Sequence, residues 1–180
     1  MDFATLKQNI LDVIKESQMK IGYTPNAVRL YYPADTLCQM LAVPADGLTD
    51  ALTAFCDSVP MLGNVTAKPS GDRWCVTVPP EGAAYVRDEV PEPAFLADLL
   101  ALLGSHRHDI GIDDVRAVFD RHSDHVGCRS FPDEEEFQYV LWFEDGVPDA
   151  YRDCIDIDLG HVTYHRLSPA DYDALGLPPL

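Results

Sequence analysis

Two strand-like runs near the C-terminus, Tyr151–Asp158 and His161–Leu167, are separated only by Leu159-Gly160, and this spacing constrains the fold more than any other feature. A two-residue turn fixes the register of the strands it joins. Asp158 then faces His161, Ile157 meets Val162, Ile155 meets Tyr164 and Asp153 meets Arg166. Two apolar pairs and one opposite-charge pair are the kinds that stabilise one face of an antiparallel pair, and a slip by one residue breaks all three. The next residues spell a short final helix. Ser168 is its cap, Pro169 its first residue and Asp171 its third, with Leu167 and Tyr172 placed as a hydrophobic staple.

Upstream, helices lead and strands cluster. Phe3, Leu6, Ile10, Val13, Ile14 and Ile21 recur at helical spacing, with Asp2 as cap and Gly22 as left-handed stop. Ala27–Tyr32 reads as a strand ending at Pro33, and Asp35 as the cap of a short helix through Met40. Leu48–Ser58 reads as a helix, and Trp74–Val78 as a strand after a Ser70-Gly71-Asp72 turn. Pro79–Gly82 reads as a further turn, with Ala84-Tyr85-Val86 returning as a strand. Helices follow from Pro93 to Leu103 and from Asp113 to His122, and Phe137–Phe143 suits a central strand. No regular alternation of strand and helix appears. The expected class is α+β, a largely antiparallel sheet with helices packed on it, closing in the β-hairpin and the short C-terminal helix. The 180 residues suit a single domain 1–180, with sub-lobes 1–90 and 91–180 if the proline-rich stretch divides it.

Thirty acids oppose thirteen bases, a net charge of −17. Such a surface repels phosphate backbones and anionic lipids, so nucleic acid and membrane are not the expected partners. A protein partner or a cationic small ligand is electrostatically easier, and solubility alone also accounts for the acidity. The five cysteines are odd in number and contain no C-x-x-C pair, which argues against a disulfide framework and a zinc ribbon. The opening residues are polar and no apolar run reaches the ~20 residues of a membrane span, so the expected location is cytoplasmic.

The hairpin register also defines a second face. It carries Arg152, Cys154, Asp156 and Asp158 opposite His161, Thr163 and His165. Cys154 stands opposite His165, with Cβ atoms about 5 Å apart. Three readings stay open. The face is solvated, as one face of an antiparallel sheet commonly is. It holds a divalent metal such as zinc through Cys154, His161 and His165. Or Cys154, His165 and Asp156 form a thiolate nucleophile with its base and orienting acid, although the acids would raise the thiol pKa.

A second cluster, His106 and His108 with His122, His125 and Cys128, also invites zinc, but the helix between its halves would hold them roughly 15 Å apart. His122 continues the apolar face of Val115, Val118 and Phe119 and reads as packed. Asp133-Glu134-Glu135-Glu136 reads as a solvated acidic turn. Tyr31, Tyr32 and Trp142 read as core or groove-lining aromatics. Arg29, between apolar neighbours in its strand, is a candidate ligand-binding residue: half-buried, it would need a carboxylate, and the pair could receive an anionic ligand.

Lys20-Ile21-Gly22-Tyr23 with Arg29-Leu30-Tyr31-Tyr32-Pro33, and later Thr163-Tyr164-His165-Arg166 with Asp171-Tyr172, resemble the opening and closing stretches of an uncharacterised family of small bacterial cytoplasmic proteins. The resemblance brings no activity, cofactor or catalytic residue. Two functional expectations remain. The first is a non-catalytic acidic binding or interaction protein without a cofactor. The second is a metal-dependent or cysteine-based hydrolase-like enzyme built on the Cys154, His161 and His165 face.

Overall fold

The structure, a computed structural model, describes residues 3–134 and 136–180. Its contacts divide the chain into two units, Met1–Glu92 and Pro93–Leu180. Both are α+β, and each has its own antiparallel sheet.

The first unit begins with helix α1 (Phe3–Ile21), whose Leu6, Ile10 and Ile14 are buried. Val13 and Ile21, expected on that face, are instead exposed at 36% and 80%. Polar Asn9 and Lys15 are buried in their place. The Tyr32 hydroxyl donates to Asn9 Oδ1 at 2.8 Å. Lys15 Nζ donates to the Val86 and Arg87 carbonyls at 3.3 and 3.1 Å. These lie near the C-terminal end of α4 (Pro80–Glu89), where a helix leaves carbonyls without intrahelical donors and favours positive charge. Gly22 stops α1 at φ +84°, as its sequence position predicts. The Asp2 cap lies outside the described residues.

Strand β1 (Val28–Pro33) leads into α2 (Ala34–Leu41) and α3 (Leu48–Ser58). The cap position of α2 is Pro33, and Asp35 falls within its first turn. The chain then forms β2 (Thr66–Ser70) and β3 (Arg73–Val78). β2 is absent from the sequence reading because it is short and contains Pro69, which a strand tolerates only at a sheet edge. The sheet order β1-β3-β2 makes it such an edge. The expected Pro79–Gly82 turn and Ala84–Val86 strand are both replaced by α4. Pro79 caps this helix, Pro80 is its first residue, and Gly82, Ala83 and Val86 form its buried stripe. A Cβ on Gly82 would lie 2.4 Å from the Leu62 carbonyl oxygen, so glycine there serves close packing.

The order α1-β1-α2-α3-β2-β3 with sheet order β1-β3-β2 is the connectivity of a winged helix-turn-helix. In that arrangement α3 occupies the recognition-helix position and the β2–β3 hairpin is the wing.

The second unit starts with α5 (Ala94–Leu103) and α6 (Ile112–Asp120). Four strands follow: β4 (Val126–Ser130), β5 (Tyr139–Phe143), β6 (Arg152–Asp158) and β7 (His161–Leu167), paired in that order. β4 was not expected as a strand. The β6–β7 register is the one the turn predicts, from Asp158↔His161 through Asp153↔Arg166. Leu159 and Gly160 have φ +49° and +79°, the positive pair a type I′ turn needs. The last helix, α7 (Pro169–Ala174), is capped by Ser168 as predicted, its side chain accepting from the Asp171 N–H.

Candidate functional site

The two sheets treat their faces differently. In the second unit, one face packs Leu141, Phe143 and Ile155 against Phe95, Leu99, Val115 and Phe119 of α5 and α6. The opposite face carries Val140 and Cys154, which pack with Phe131, Phe137 and Tyr172. Tyr172 comes from α7, so the C-terminal helix takes part in covering the face that the sequence reading left to solvent. The wet-face expectation therefore fails at Cys154, which is 2% exposed.

Cys154 and His165 are directly opposite, as predicted, yet their surroundings differ. His165 is exposed, while burial and then neighbouring Asp153 push the Cys154 thiol up to about 12. Asp156 is half-buried, and His161 is exposed beside the turn. The His161 ring meets His108 edge-on, with centroids 5.8 Å apart. Among the described residues, no group of three or more His, Cys, Asp or Glu is placed to hold a metal ion.

The second histidine cluster is also dispersed. His122 Nε2 lies 2.8 Å from Asp98 Oδ2, and its ring stands edge-on to Phe95, so it packs as the helical pattern implies. Cys128 packs against the α5–α6 core, where burial raises its thiol pKa. Between α5 and α6 lies an open hollow of about 430 Å³, lined by Asp98, Arg107, Asp114 and Arg121 among others. Its charges are already paired: Arg107 meets Asp114 at 3.2 Å and Arg121 meets Asp98 at 3.8 Å. Asp114 also accepts from the Gly111 N–H at 2.9 Å, the foremost reason its carboxyl is held below the usual range. Of the acidic turn, Asp133, Glu134 and Glu136 are exposed, and Glu135 lies outside the described residues.

In the first unit the inner face of the sheet carries buried Tyr32, Val76 and Val78. The other face holds Arg29, Thr77 and Thr66 in one cross-strand row. Tyr31, Cys75 and Lys68 form the next row, and Pro33, Arg73 and Ser70 the third. Arg29, Tyr31, Lys68, Ser70 and Arg73 are exposed, which corrects the half-buried Arg29 of the sequence reading. Strand alternation turns Arg29 away from its apolar neighbours. Lys68 and Arg73 were missed as companions of Arg29. Their signal was the alternation Thr66, Lys68, Ser70, interrupted by Pro69.

Helix α3 buries Leu48, Ala51, Leu52 and Phe55, and exposes Thr49, Asp50, Thr53, Ala54 and Asp57. Its exposed side thus has two acids and no base, although α3 stands where a winged helix-turn-helix would read a DNA groove.

A family model described as "Domain of unknown function, E. rectale Gene description (DUF3877)" matches residues 3–176. No curated protein and no solved structure matches the chain.

Proposed function

We propose that this chain, which belongs to the DUF3877 family, is a non-catalytic interaction protein whose winged-helix-like unit contacts protein and not nucleic acid. One observation carries the reading: the exposed side of α3 offers Asp50 and Asp57 and no cation. A recognition helix gains most of its DNA affinity by neutralising phosphates with Lys and Arg. Two carboxylates in that position repel the backbone, and the net charge of −17 adds to the repulsion. The connectivity alone assigns no activity, so the reading rests on the exposed residues of α3.

The alternative, a cysteine-based or zinc hydrolase on the β6–β7 face, has less support. Its nucleophile would be a thiol 2% exposed and raised to about 12, whereas reactive cysteines are accessible and have lowered pKa values. The reading places the protein in the bacterial cytoplasm, needing no cofactor and no membrane. All five cysteines are free thiols, which suits a reducing compartment. No helix among the described residues is long and apolar enough to cross a membrane.

The test is fluorescence anisotropy of a labelled DNA duplex at low ionic strength, where electrostatic binding is strongest. The expected result is no saturable binding by the full chain. Salt-sensitive binding that weakens when the α3 surface is altered, as in Thr53→Glu, would overturn the reading.

A further inference from the structure

Thirteen bases serve this chain, and nine of them have a carboxylate or carbonyl partner. Four have no ion pair or hydrogen-bonded side chain among the described residues: Lys7, Arg29, Lys68 and Arg73. Three of these four share the open face of the β1-β3-β2 sheet. That face includes no Asp or Glu at any of its nine paired positions. In a chain with thirty acids, an exposed base readily meets a carboxylate, so three bases gathered on one face, none of them in an ion pair among the described residues, form a distinct surface.

The register sets its dimensions. Arg29 and Arg73 are two rows apart, and Lys68 lies in the row between them. Strand rise and spacing then make a patch roughly 14 Å long and 10 Å wide. Tyr31, 51% exposed, stands in the middle row, and Thr66, Thr77 and Ser70 add hydroxyls. Exposed tyrosine beside arginine is the composition of protein-binding hot spots. The patch is a pleated sheet surface, and a small molecule would need a concave pocket to lose most of its water. A polynucleotide gains affinity in proportion to the phosphates neutralised, and three bases within a strongly acidic protein neutralise few.

We propose that the open face of β1-β3-β2 docks an acidic segment of a partner protein, with Arg29, Lys68 and Arg73 pairing its carboxylates and Tyr31 packing between them. This rests on the interaction reading above and names the partner's chemistry. Carboxylates three or four residues apart on an acidic segment match the spacing of the bases, and the surrounding negative charge disfavours any longer polyanion.

The experiment measures binding of a fluorescein-labelled hexaglutamate peptide to the full chain, with single-stranded DNA as competitor and sedimentation to follow self-association. Wild type is expected to bind the peptide, more weakly as salt rises. The combined reversal Arg29→Glu, Lys68→Glu and Arg73→Glu should weaken binding at least about tenfold, and Lys7→Glu, the unpaired base off this face, less than about twofold. Circular dichroism checks folding, and Tyr31→Ala with Arg29→Met gives a milder pair that should also weaken binding. Absence of peptide binding, equal binding by wild type and the reversal, or tighter binding of DNA than of peptide would each overturn the proposal. So would a dimer that the reversal dissolves, because the occupant would then be a second copy. If neither peptide nor DNA duplex binds, this face is excluded while the interaction reading stands; duplex binding through α3 removes that reading itself.

Discussion

Arg29 and Arg166 both sit on sheet strands, and the structure gives them opposite surroundings. Arg29 is exposed on the first sheet, with no ion pair or hydrogen-bonded side chain among the described residues. The Arg166 side chain is 6% exposed in the second, where Nη2 meets Asp149 Oδ2 at 2.7 Å and Nε lies 3.4 Å from Asp153 Oδ1. Its guanidinium also stacks 4.6 Å from the Tyr151 ring centroid. The difference follows from layering. The second sheet packs apolar clusters on both faces, so a charge on it must bring its counter-charge inside. The first keeps one face open, and a charge there stays in contact with solvent. A strand arginine is thus buried with its counter-charges or left exposed according to what covers its face.

The largest expected effect tests the clamp. Arg166→Met removes the cation between Asp149 and Asp153, the latter 0% exposed, and should destabilise the second unit by about 3–5 kcal/mol. Urea unfolding followed by Trp142 fluorescence in a Trp74→Phe background measures it. A loss below about 1 kcal/mol would mean the ion pair does not hold the sheet.

Gly127→Ala probes the same sheet on its other face. A Cβ there would lie 2.2 Å from the Trp142 indole, so the ring must shift, at a cost of about 1–3 kcal/mol. The same unfolding signal reports it, and an unchanged midpoint would show that this face has slack.

The cysteines offer a milder contrast. Cys75 lies on the open face of the first sheet and Cys154 beneath the C-terminal helix. Iodoacetamide labelling read by mass spectrometry should modify Cys75 in the native protein and Cys154 only on unfolding. Alkaline pH acts on the same group. The folded thiol is raised from an ordinary 9.0 to about 12, so the folded state holds its proton more tightly than the unfolded chain. That contribution is complete below pH 9.0 and is lost as pH rises toward about 12. Stability should fall across that window, and Cys154→Ala should flatten the decline. Smallest of all, Arg29→Met should leave stability within about 0.5 kcal/mol of wild type in a Trp142→Phe background, because the side chain is exposed and has no ion pair among the described residues.

The residues that announced themselves did so through local chemistry. Leu159-Gly160 sets a type I′ turn and with it seven cross-strand pairs, and Ser168-Pro169 starts α7, because turns and caps depend on neighbours in sequence. Edges and helix starts were harder to read. Thr66–Ser70 pairs with β3 only through the wing, and Pro80 opens a helix whose burial depends on Leu62 and Val78. Lys15 resembles any surface lysine until α4 brings two carbonyls to its ammonium.

Sequence alone thus determined the α+β class, the hairpin register, the Asp153–Arg166 pair and the opposition of Cys154 to His165, since alternation and turn geometry are properties of adjacent residues. It could not determine which face each layer would cover. Packing of α7 and Phe137 over Cys154 buried the thiol that the sequence offered as a candidate nucleophile, and the uncovered face of β1-β3-β2 gathered Arg29, Lys68 and Arg73 from three strands into one surface. Burial is a relation between segments distant in the chain, and only the folded arrangement of those segments supplies it.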